Sequence, residues 1–248
     1  MTEKPDPWLL TPGPLTTSIS VKQAMLHDWG SRDKEFIRVN QEVREKLVNI
    51  ANAGESHVCV PIQGSGTFAV EATLGTLIGP SDKALVLVNG AYGKRICKIC
   101  EYHGLAFATL ETAENIPSDT QTLDKMLGDD NAITHVAAVH CETTSGILNP
   151  IQDIAIVTAR HQRKLIIDTM SAFGALPLDA KVTPFDALVA SSNKCFEGVP
   201  GMGFAIIKQD TLERCKGNST ALSLDLYDQW VAMQGNGQWR FTPPTHVL

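Results

Sequence analysis

Short apolar runs recur along the chain, and a segment with the helical spacing of apolar residues follows most of them. The runs are nearly continuous in apolar residues, which is typical of strands in a sheet covered on both faces. Strands are predicted at 57–62, 84–88, 105–110, 135–140, 164–168, 186–190 and 203–208, and helices at 67–77, 91–102, 122–127 and 151–161. Alternating strands and helices predict an α/β fold with an open, largely parallel sheet.

The two ends of the chain add further helical patterns. A long helix is predicted at 32–53 from the helical spacing of Phe36, Val39, Val43, Leu47 and Ile50. Residues 224–233 predict another helix. Pro243 and Pro244 then indicate the entry to a helix, because proline is tolerated in a first turn. The chain ends four residues later, so we expect a further domain to be missing.

Composition excludes several classes of protein. The 248 residues are 43% hydrophobic and carry a net charge of −6 without a basic stripe, which argues against a nucleic-acid or anionic-membrane surface. No apolar run approaches the ~20 residues of a membrane helix, and the start lacks the order of a secretory signal. The six cysteines are spread through apolar stretches, as in reduced cytoplasmic proteins. We therefore predict a globular, cytoplasmic protein.

The first candidate site is Gln63-Gly-Ser-Gly-Thr67, between a predicted strand and a predicted helix. Small residues let the backbone approach a phosphate, and the free N–H groups of a helix start favour an anion. No acidic residue closes the next strand, so the motif does not indicate a dinucleotide site. A tight strand–helix turn without a ligand is the alternative.

Two charged residues stand at the ends of later strands. Asp168 ends an apolar strand, where a carboxylate needs a cation or metal, or else caps a following helix. Lys194 follows another strand, and a partly desolvated amine there could form a Schiff base and move a proton. A solvated surface lysine is the alternative. Together, an anion cradle, an acid and a lysine match the needs of pyridoxal 5′-phosphate.

The ordered motifs extend this match to a family. They are Thr-Pro-Gly-Pro at 11–14, the motif at 63–67, Asn-Gly-Ala-Tyr-Gly at 89–93, His-Cys-Glu-Thr-Thr-Ser-Gly at 140–146, Asp168 and Ser-Ser-Asn-Lys at 191–194. With them the chain resembles the fold-type-I, class V aminotransferases over nearly its whole length. The segments 9–18, 191–201 and 222–230 are similar to members that move the amino group of 2-aminoethylphosphonate to pyruvate, giving phosphonoacetaldehyde and L-alanine.

The resemblance implies a role for eight residues. Lys194 would bind the cofactor aldehyde and later move a proton, and Asp168 would pair with the pyridinium nitrogen. The phosphate would be held by Ser65, Gly66 and Thr67.

Three further residues complete the set. Tyr92 would stack on the cofactor ring, unless it is an ordinary core tyrosine. Thr143 would hydrogen-bond near the ring oxygen, or simply cap its loop. Thr242 would reach the phosphate of the neighbouring subunit, which implies a homodimer with shared active sites.

The resemblance also implies a domain division. Residues 1–30 would form an N-terminal segment and 31–248 the large cofactor-binding domain, a mostly parallel seven-stranded sheet with helices on both faces. The small C-terminal domain and its substrate-binding arginine would be absent. A serine– or alanine–glyoxylate aminotransferase, or a truncated subunit that binds the cofactor or dimerises without turnover, are the alternatives.

Other polar residues receive weaker interpretations. Cys97-Lys-Ile-Cys100 is spaced like half a zinc site but has no second pair, so no metal is predicted. His140 and Glu142 lie near the predicted site, and a direct role for them is not favoured.

Overall fold

The computed structural model describes residues 6–248. The helices are α1 Ile19–Ala24, α2 Lys34–Ile50, α3 Gly66–Leu77, α4 Ala91–His103, α5 Thr120–Asp129, α6 Ile151–Arg160, α7 Gln209–Glu213 and α8 Leu226–Asn236. The strands are β1 His57–Gly64, β2 Lys83–Val88, β3 Ala106–Glu111, β4 His135–Val139, β5 Cys141–Glu142, β6 Ile147–Leu148, β7 Lys164–Asp168, β8 Ala187–Ser191 and β9 Gly201–Lys208.

Seven of these strands form one sheet in the order β1-β9-β8-β7-β4-β2-β3. Only β9 runs against its neighbours: it pairs antiparallel with both β1 and β8, and the other pairs in the sheet are parallel. The predicted α/β fold with a mostly parallel seven-stranded sheet is confirmed. The two short strands β5 and β6 pair separately as a hairpin.

Helices cover both faces of the sheet because each strand sends apolar side chains to both sides. In β2, Leu85 and Leu87 enter one apolar cluster with residues of α2, α5 and α6. Val86 and Val88 enter a second cluster with residues of α3, α4, α7 and α8. This alternation follows from the two-residue period of a strand. Each fully buried side chain of this kind contributes about 1.5–3 kcal/mol to folding.

Two helices have a residue suited to capping at one of their ends. Asp119 accepts hydrogen bonds from the N–H groups of Gln121 and Thr122 and so begins α5. Gly104 ends α4 with a φ of +64°, and its N–H bonds the carbonyl of Cys100. Glycine suits this left-handed position because a side chain there would be strained.

The chain differs from the prediction at short elements and at its end. The helices α1 and α7 and the hairpin β5–β6 were not predicted, because two to six residues carry too little apolar period to indicate an element. The expected helix entry at Pro243 and Pro244 forms one turn, in which the N–H groups of Val247 and Leu248 both bond the Pro244 carbonyl.

The division at residue 30 stays a prediction, and its first five residues lie outside the described ones. Within residues 6–33 the structure has α1 and no strand. No helix in the described part of the chain has both the length and the apolar character needed to cross a membrane.

His135, at the start of β4, is buried, and only one of its two ring nitrogens has a hydrogen-bond partner among the described residues. Its Nδ1 lies 2.8 Å from Thr134 Oγ1, and within residues 6–248 its Nε2 has no hydrogen-bond partner. The pKa of His135 is lowered from 6.5 to about 4, mainly by burial and also by the charge of Lys164, while Asp82 and Asp186 partly oppose the shift.

Acid should therefore destabilise the fold through His135. The folded chain binds this proton less tightly than the unfolded chain, so stability is lost as pH falls from 6.5 towards 4, by roughly 3 kcal/mol. We expect the free energy of unfolding of His135→Asn, relative to that of the unaltered chain, to rise by roughly 3 kcal/mol as pH falls from 6.5 to 4, measured by urea unfolding of both chains. For His27→Asn, at an exposed histidine, this difference should not change with pH. A pH-independent difference for His135→Asn would contradict the assignment.

Candidate active site

One cavity of about 410 Å³ lies at the carboxyl ends of β1, β7 and β8, beside the start of α3. Its lining includes six of the eight residues predicted for the site, namely Ser65, Gly66, Thr67, Tyr92, Asp168 and Lys194. Ligands of open α/β sheets bind beyond the carboxyl ends of the strands, so its position fits the fold.

The start of α3 forms one end of this cavity, the candidate anion-binding end. The helix begins at Gly66, and the Ser65 side chain makes no capping hydrogen bond, so the first backbone N–H groups stay available to a ligand. A Cβ on Gly66 would lie 2.6 Å from Met170 Sδ, so a larger residue here would have to displace the Met170 side chain. The local geometry therefore suits an anion held by backbone donors.

Asp168 is a buried acid in the cavity wall, with 6% of its surface exposed. Burial raises the pKa of Asp168 to about 6; the Met170 N–H, 3.0 Å from Oδ1, lowers it, Glu142 raises it, and the charges of Arg95 and Lys194 lower it. The bond to Met170 is a local turn rather than a helix cap, because no helix begins there. A cation placed against this carboxylate would favour its ionised form.

Lys194 lies in the turn between β8 and β9, where it is half-buried. Its Nζ donates to the Gly13 carbonyl at 3.4 Å, and a Cβ on Gly13 would overlap Lys194 Cδ. The turn is fixed by the Glu197 N–H, which bonds the Lys194 carbonyl at 2.9 Å, and by Ser192 Oγ, which donates to the Val199 carbonyl at 2.6 Å. Among the residues that line the cavity, Lys194 is the one amine.

Ser191, at the end of β8, also lines the cavity and was not predicted as a site residue. It is 1% exposed, and within the described chain its Oγ has no hydrogen-bond partner. A buried hydroxyl without a partner is costly unless a ligand or water completes it. Its position in the lining points to a polar ligand.

The segment 89–93 is held from two sides. Asn89 Nδ2 donates to Asn149 Oδ1 at 2.9 Å, which fixes the end of β2. At the start of α4, the buried Glu142 carboxylate accepts the Tyr92 N–H at 3.3 Å and the Thr144 hydroxyl at 2.7 Å. A carboxylate is favourable at a helix N-terminus. Glu142 therefore positions the backbone of Tyr92 rather than lining the cavity itself.

Gly90 makes room for this carboxylate, and its replacement should displace it. A Cβ on Gly90 would overlap Glu142 Cγ and Cδ, and Glu142 is fully buried and cannot move aside. We expect Gly90→Ala to lower the free energy of unfolding by about 1–3 kcal/mol, measured by urea denaturation. Gly235→Ala in α8, where a Cβ meets open space, is the matched control and should not destabilise. Equal stability of the two variants would contradict the role of Gly90.

Two predicted residues lie outside this cavity lining. Thr143 is half-buried, and its Oγ1 lies 2.7 Å from Ser171 Oγ. Thr242 is exposed and lines a separate concavity together with Arg32 and Arg240. The roles predicted for Thr143 and Thr242 stay predictions.

His140 is buried behind the site, not in its lining. Burial lowers the pKa of His140, and its Nδ1 has no partner among residues 6–248. These features describe a neutral core histidine.

Two cavity residues with polar side chains, besides Ser191, were not predicted from the sequence. Asn193 lies in the same turn as Lys194, and Arg95 lies on α4 with its guanidinium 4.5 Å from the centre of the Tyr92 ring. The spacing of three between Tyr92 and Arg95 puts both on one helix face, which was the available signal.

A larger cavity, of about 820 Å³, lies between α2, the free edge of β1 and the end of α8. None of the eight predicted site residues lines it. The predicted site residues therefore line the smaller of these two cavities.

Comparison with known proteins gives one consistent result. Residues 20–239 match the family model described as aminotransferase class-V. The chain is 57% identical over 242 residues to the 2-aminoethylphosphonate–pyruvate transaminase of Pseudomonas fluorescens, and 55% identical over 248 residues to the 2-aminoethylphosphonate–pyruvate transaminase 2 of Burkholderia lata. These matches cover 98% and 100% of this chain, and 66%, just under two thirds, of each relative.

The fold is also found among solved structures. The alanine–glyoxylate aminotransferase of Nostoc sp. superposes with a TM-score of 0.91 at 23% identity, over 99% of this chain and 66% of that one. At this identity the likeness concerns the fold alone.

Proposed function

The chain belongs to the class-V aminotransferase family, and on that premise we propose that it forms the large part of a pyridoxal-phosphate-dependent transaminase. The reaction moves the amino group of 2-aminoethylphosphonate to pyruvate, giving phosphonoacetaldehyde and L-alanine. The observation that carries the proposal is the meeting of Lys194, Asp168 and the start of α3 around one cavity. The names of relatives at 55–57% identity support the choice of substrates.

The residues present fit pyridoxal 5′-phosphate. The start of α3 offers backbone donors to its phosphate, and Gly66 leaves the space that a Cβ would fill. The raised pKa of Asp168 marks a carboxylate that lacks a close cation, which the pyridinium nitrogen would provide. Ser191 Oγ, which has no hydrogen-bond partner among residues 6–248, offers one more polar contact. When bound, the cofactor supplies an aldehyde that accepts amino groups and a ring that withdraws electrons.

Lys194, Asp168 and Glu142 each have a different role in this proposal. Lys194 Nζ would hold the aldehyde and, as a free amine, would accept a proton from the substrate carbon and release it again. Asp168 would hold the ring nitrogen through its carboxylate. Glu142 keeps Tyr92 at the cavity through the Tyr92 N–H, so that its ring can stack. Residues 6–248 thus supply the groups for proton transfer.

We also propose a cytoplasmic homodimer with shared active sites. Thr242 is exposed and lies outside its own chain's cavity, so it is available to contact the phosphate bound by a neighbouring subunit. All six cysteines are free thiols, the state that a reducing compartment maintains. Thr143 hydrogen-bonds near the ring oxygen in this proposal.

A half-reaction tests the function directly. The chain is loaded with pyridoxal phosphate, freed of excess cofactor and mixed with 2-aminoethylphosphonate without pyruvate. We expect phosphonoacetaldehyde in amounts stoichiometric with sites, and alanine on later addition of pyruvate, as ping-pong chemistry requires. L-Serine and L-alanine with glyoxylate are the comparison substrates. Turnover of these and not of 2-aminoethylphosphonate would overturn the substrate assignment, and a bound cofactor without any product would overturn catalysis.

A further inference from the structure

Arg95 connects two parts of the cavity that the predicted site treats separately. One of its guanidinium nitrogens donates to Thr67 Oγ1 at 3.2 Å, in the first turn of α3. The same guanidinium lies 4.5 Å from the centre of the Tyr92 ring, on its own helix α4. Arg95 thus touches both the anion-binding end of the cavity and the aromatic side chain in its wall.

The hydrogen bond fixes the direction of the Thr67 hydroxyl. A hydroxyl has one hydrogen to donate and can accept at its lone pairs. Because Arg95 can only donate, Thr67 Oγ1 must accept from it, and the Thr67 hydrogen stays free. That hydrogen can then point to an anion at the start of α3, beside the backbone N–H groups.

One of the two cations in the cavity lining has no role in the proposed function. Lys194 and Arg95 are its cations and Asp168 its acid. Lys194 is engaged by the aldehyde in the proposed function, so Arg95 remains for an anion. Ser191 Oγ in the same lining is buried and has no hydrogen-bond partner in the described part of the chain, which independently points to a polar ligand.

We propose that Arg95 is a further residue of the anion-binding end, which supplies positive charge and directs the Thr67 hydroxyl to the bound anion. The identity of that anion as the cofactor phosphate rests on the proposed function. Anion binding itself does not, because inorganic phosphate can be used as the probe.

The first experiment uses the cofactor-free chain and inorganic phosphate. Melting temperature is followed during phosphate titration at constant ionic strength, which separates binding from general screening. We expect a saturable rise for the unaltered chain and a half-saturating concentration roughly tenfold higher for Arg95→Gln. Lys98→Gln is the matched control: it removes a cation one turn further along α4, over the Tyr102 ring and outside the cavity lining. No saturable response in the unaltered chain, or equal loss in both variants, would overturn the inference.

The second experiment asks whether Arg95 acts through Thr67. In Thr67→Val, the further change Arg95→Gln should weaken phosphate binding by less than it does alone, because only the charge of Arg95 remains to be lost. Equal losses in both backgrounds would overturn this part of the inference.

The third experiment separates the inference from the function proposed above. Dissociation constants for pyridoxal phosphate and for pyridoxal, which lacks the phosphate, are measured by absorbance. Arg95→Gln should raise the dissociation constant of pyridoxal phosphate roughly tenfold and leave that of pyridoxal nearly unchanged. Equal weakening of both ligands would mean that Arg95 only supports Tyr92, against the inference. Phosphate binding that depends on Arg95, without cofactor binding, would overturn the proposed function and leave the inference standing.

Discussion

Replacement of Lys194 by alanine is expected to lower transamination by roughly a thousandfold, because it removes both the amine that binds the aldehyde and the group that moves the proton. Borohydride reduction of the cofactor-loaded chain, followed by digestion and mass spectrometry, should place a phosphopyridoxyl group on Lys194 in the unaltered chain. The variant should show no adduct at this position. Its fold should persist, because Lys194 lies in a turn held by backbone and Ser192 hydrogen bonds.

Two controls make the Lys194 result specific. Lys98→Ala removes an exposed amine outside the cavity and should retain both activity and the adduct on Lys194. A small primary amine added to Lys194→Ala should restore part of the rate, because it can enter the vacated space and move the proton. Full activity in Lys194→Ala, or an equal adduct spread over many lysines, would contradict the assignment.

Asp168→Asn is expected to make the cofactor-free chain more stable and to lower the proposed transamination rate of the cofactor-loaded chain. The pKa of Asp168 is raised by burial from 3.8 to about 6, so the folded chain binds this proton more tightly than the unfolded chain. Its stabilising contribution is present below pH 4 and is lost as pH rises through 6, by roughly 3 kcal/mol. Asparagine cannot ionise, and its side-chain oxygen can still accept the Met170 N–H.

The measurement compares urea unfolding of the two cofactor-free chains at pH 4 and pH 8. The variant should be more stable by about 3 kcal/mol at pH 8 and nearly equal at pH 4. With cofactor, its transamination rate should fall by roughly a hundredfold, because no carboxylate stabilises the charged ring nitrogen. A variant less stable than the unaltered chain at pH 8 would mean that the ionised Asp168 stabilises the turn at Met170 instead.

The architecture could be predicted from the sequence because the strands are long, apolar and separated by helices of regular period. β7 was predicted with both ends correct, and α4 to within one residue. The strand order was not predicted, since the apolar period of a strand does not identify its neighbours. β9 in particular shows nothing in its own sequence that indicates an antiparallel strand between β1 and β8.

The site could be predicted in part, where short motifs carry recognisable chemistry. Ser65, Gly66, Thr67, Tyr92, Asp168 and Lys194 were all placed at one cavity by the structure. Arg95 was missed because it sits in a helix with several other cations, and only the fold shows which of them faces the cavity. Ser191 was missed for a different reason: its significance is the missing partner of a buried hydroxyl, which a sequence does not reveal.

The reversed strand β9 makes the two halves of the site a single cooperative unit. Gly201 pairs with Gly64 at the end of β1, while Gly203 pairs with Ser191 at the end of β8. A Cβ on Gly203 would lie 2.6 Å from Ala69 Cβ, so α3 rests directly on this strand. The anion-binding end and the lysine turn are about 130 residues apart in the chain, yet they share these hydrogen bonds. Local opening of β9 would therefore dismantle both halves of the site together.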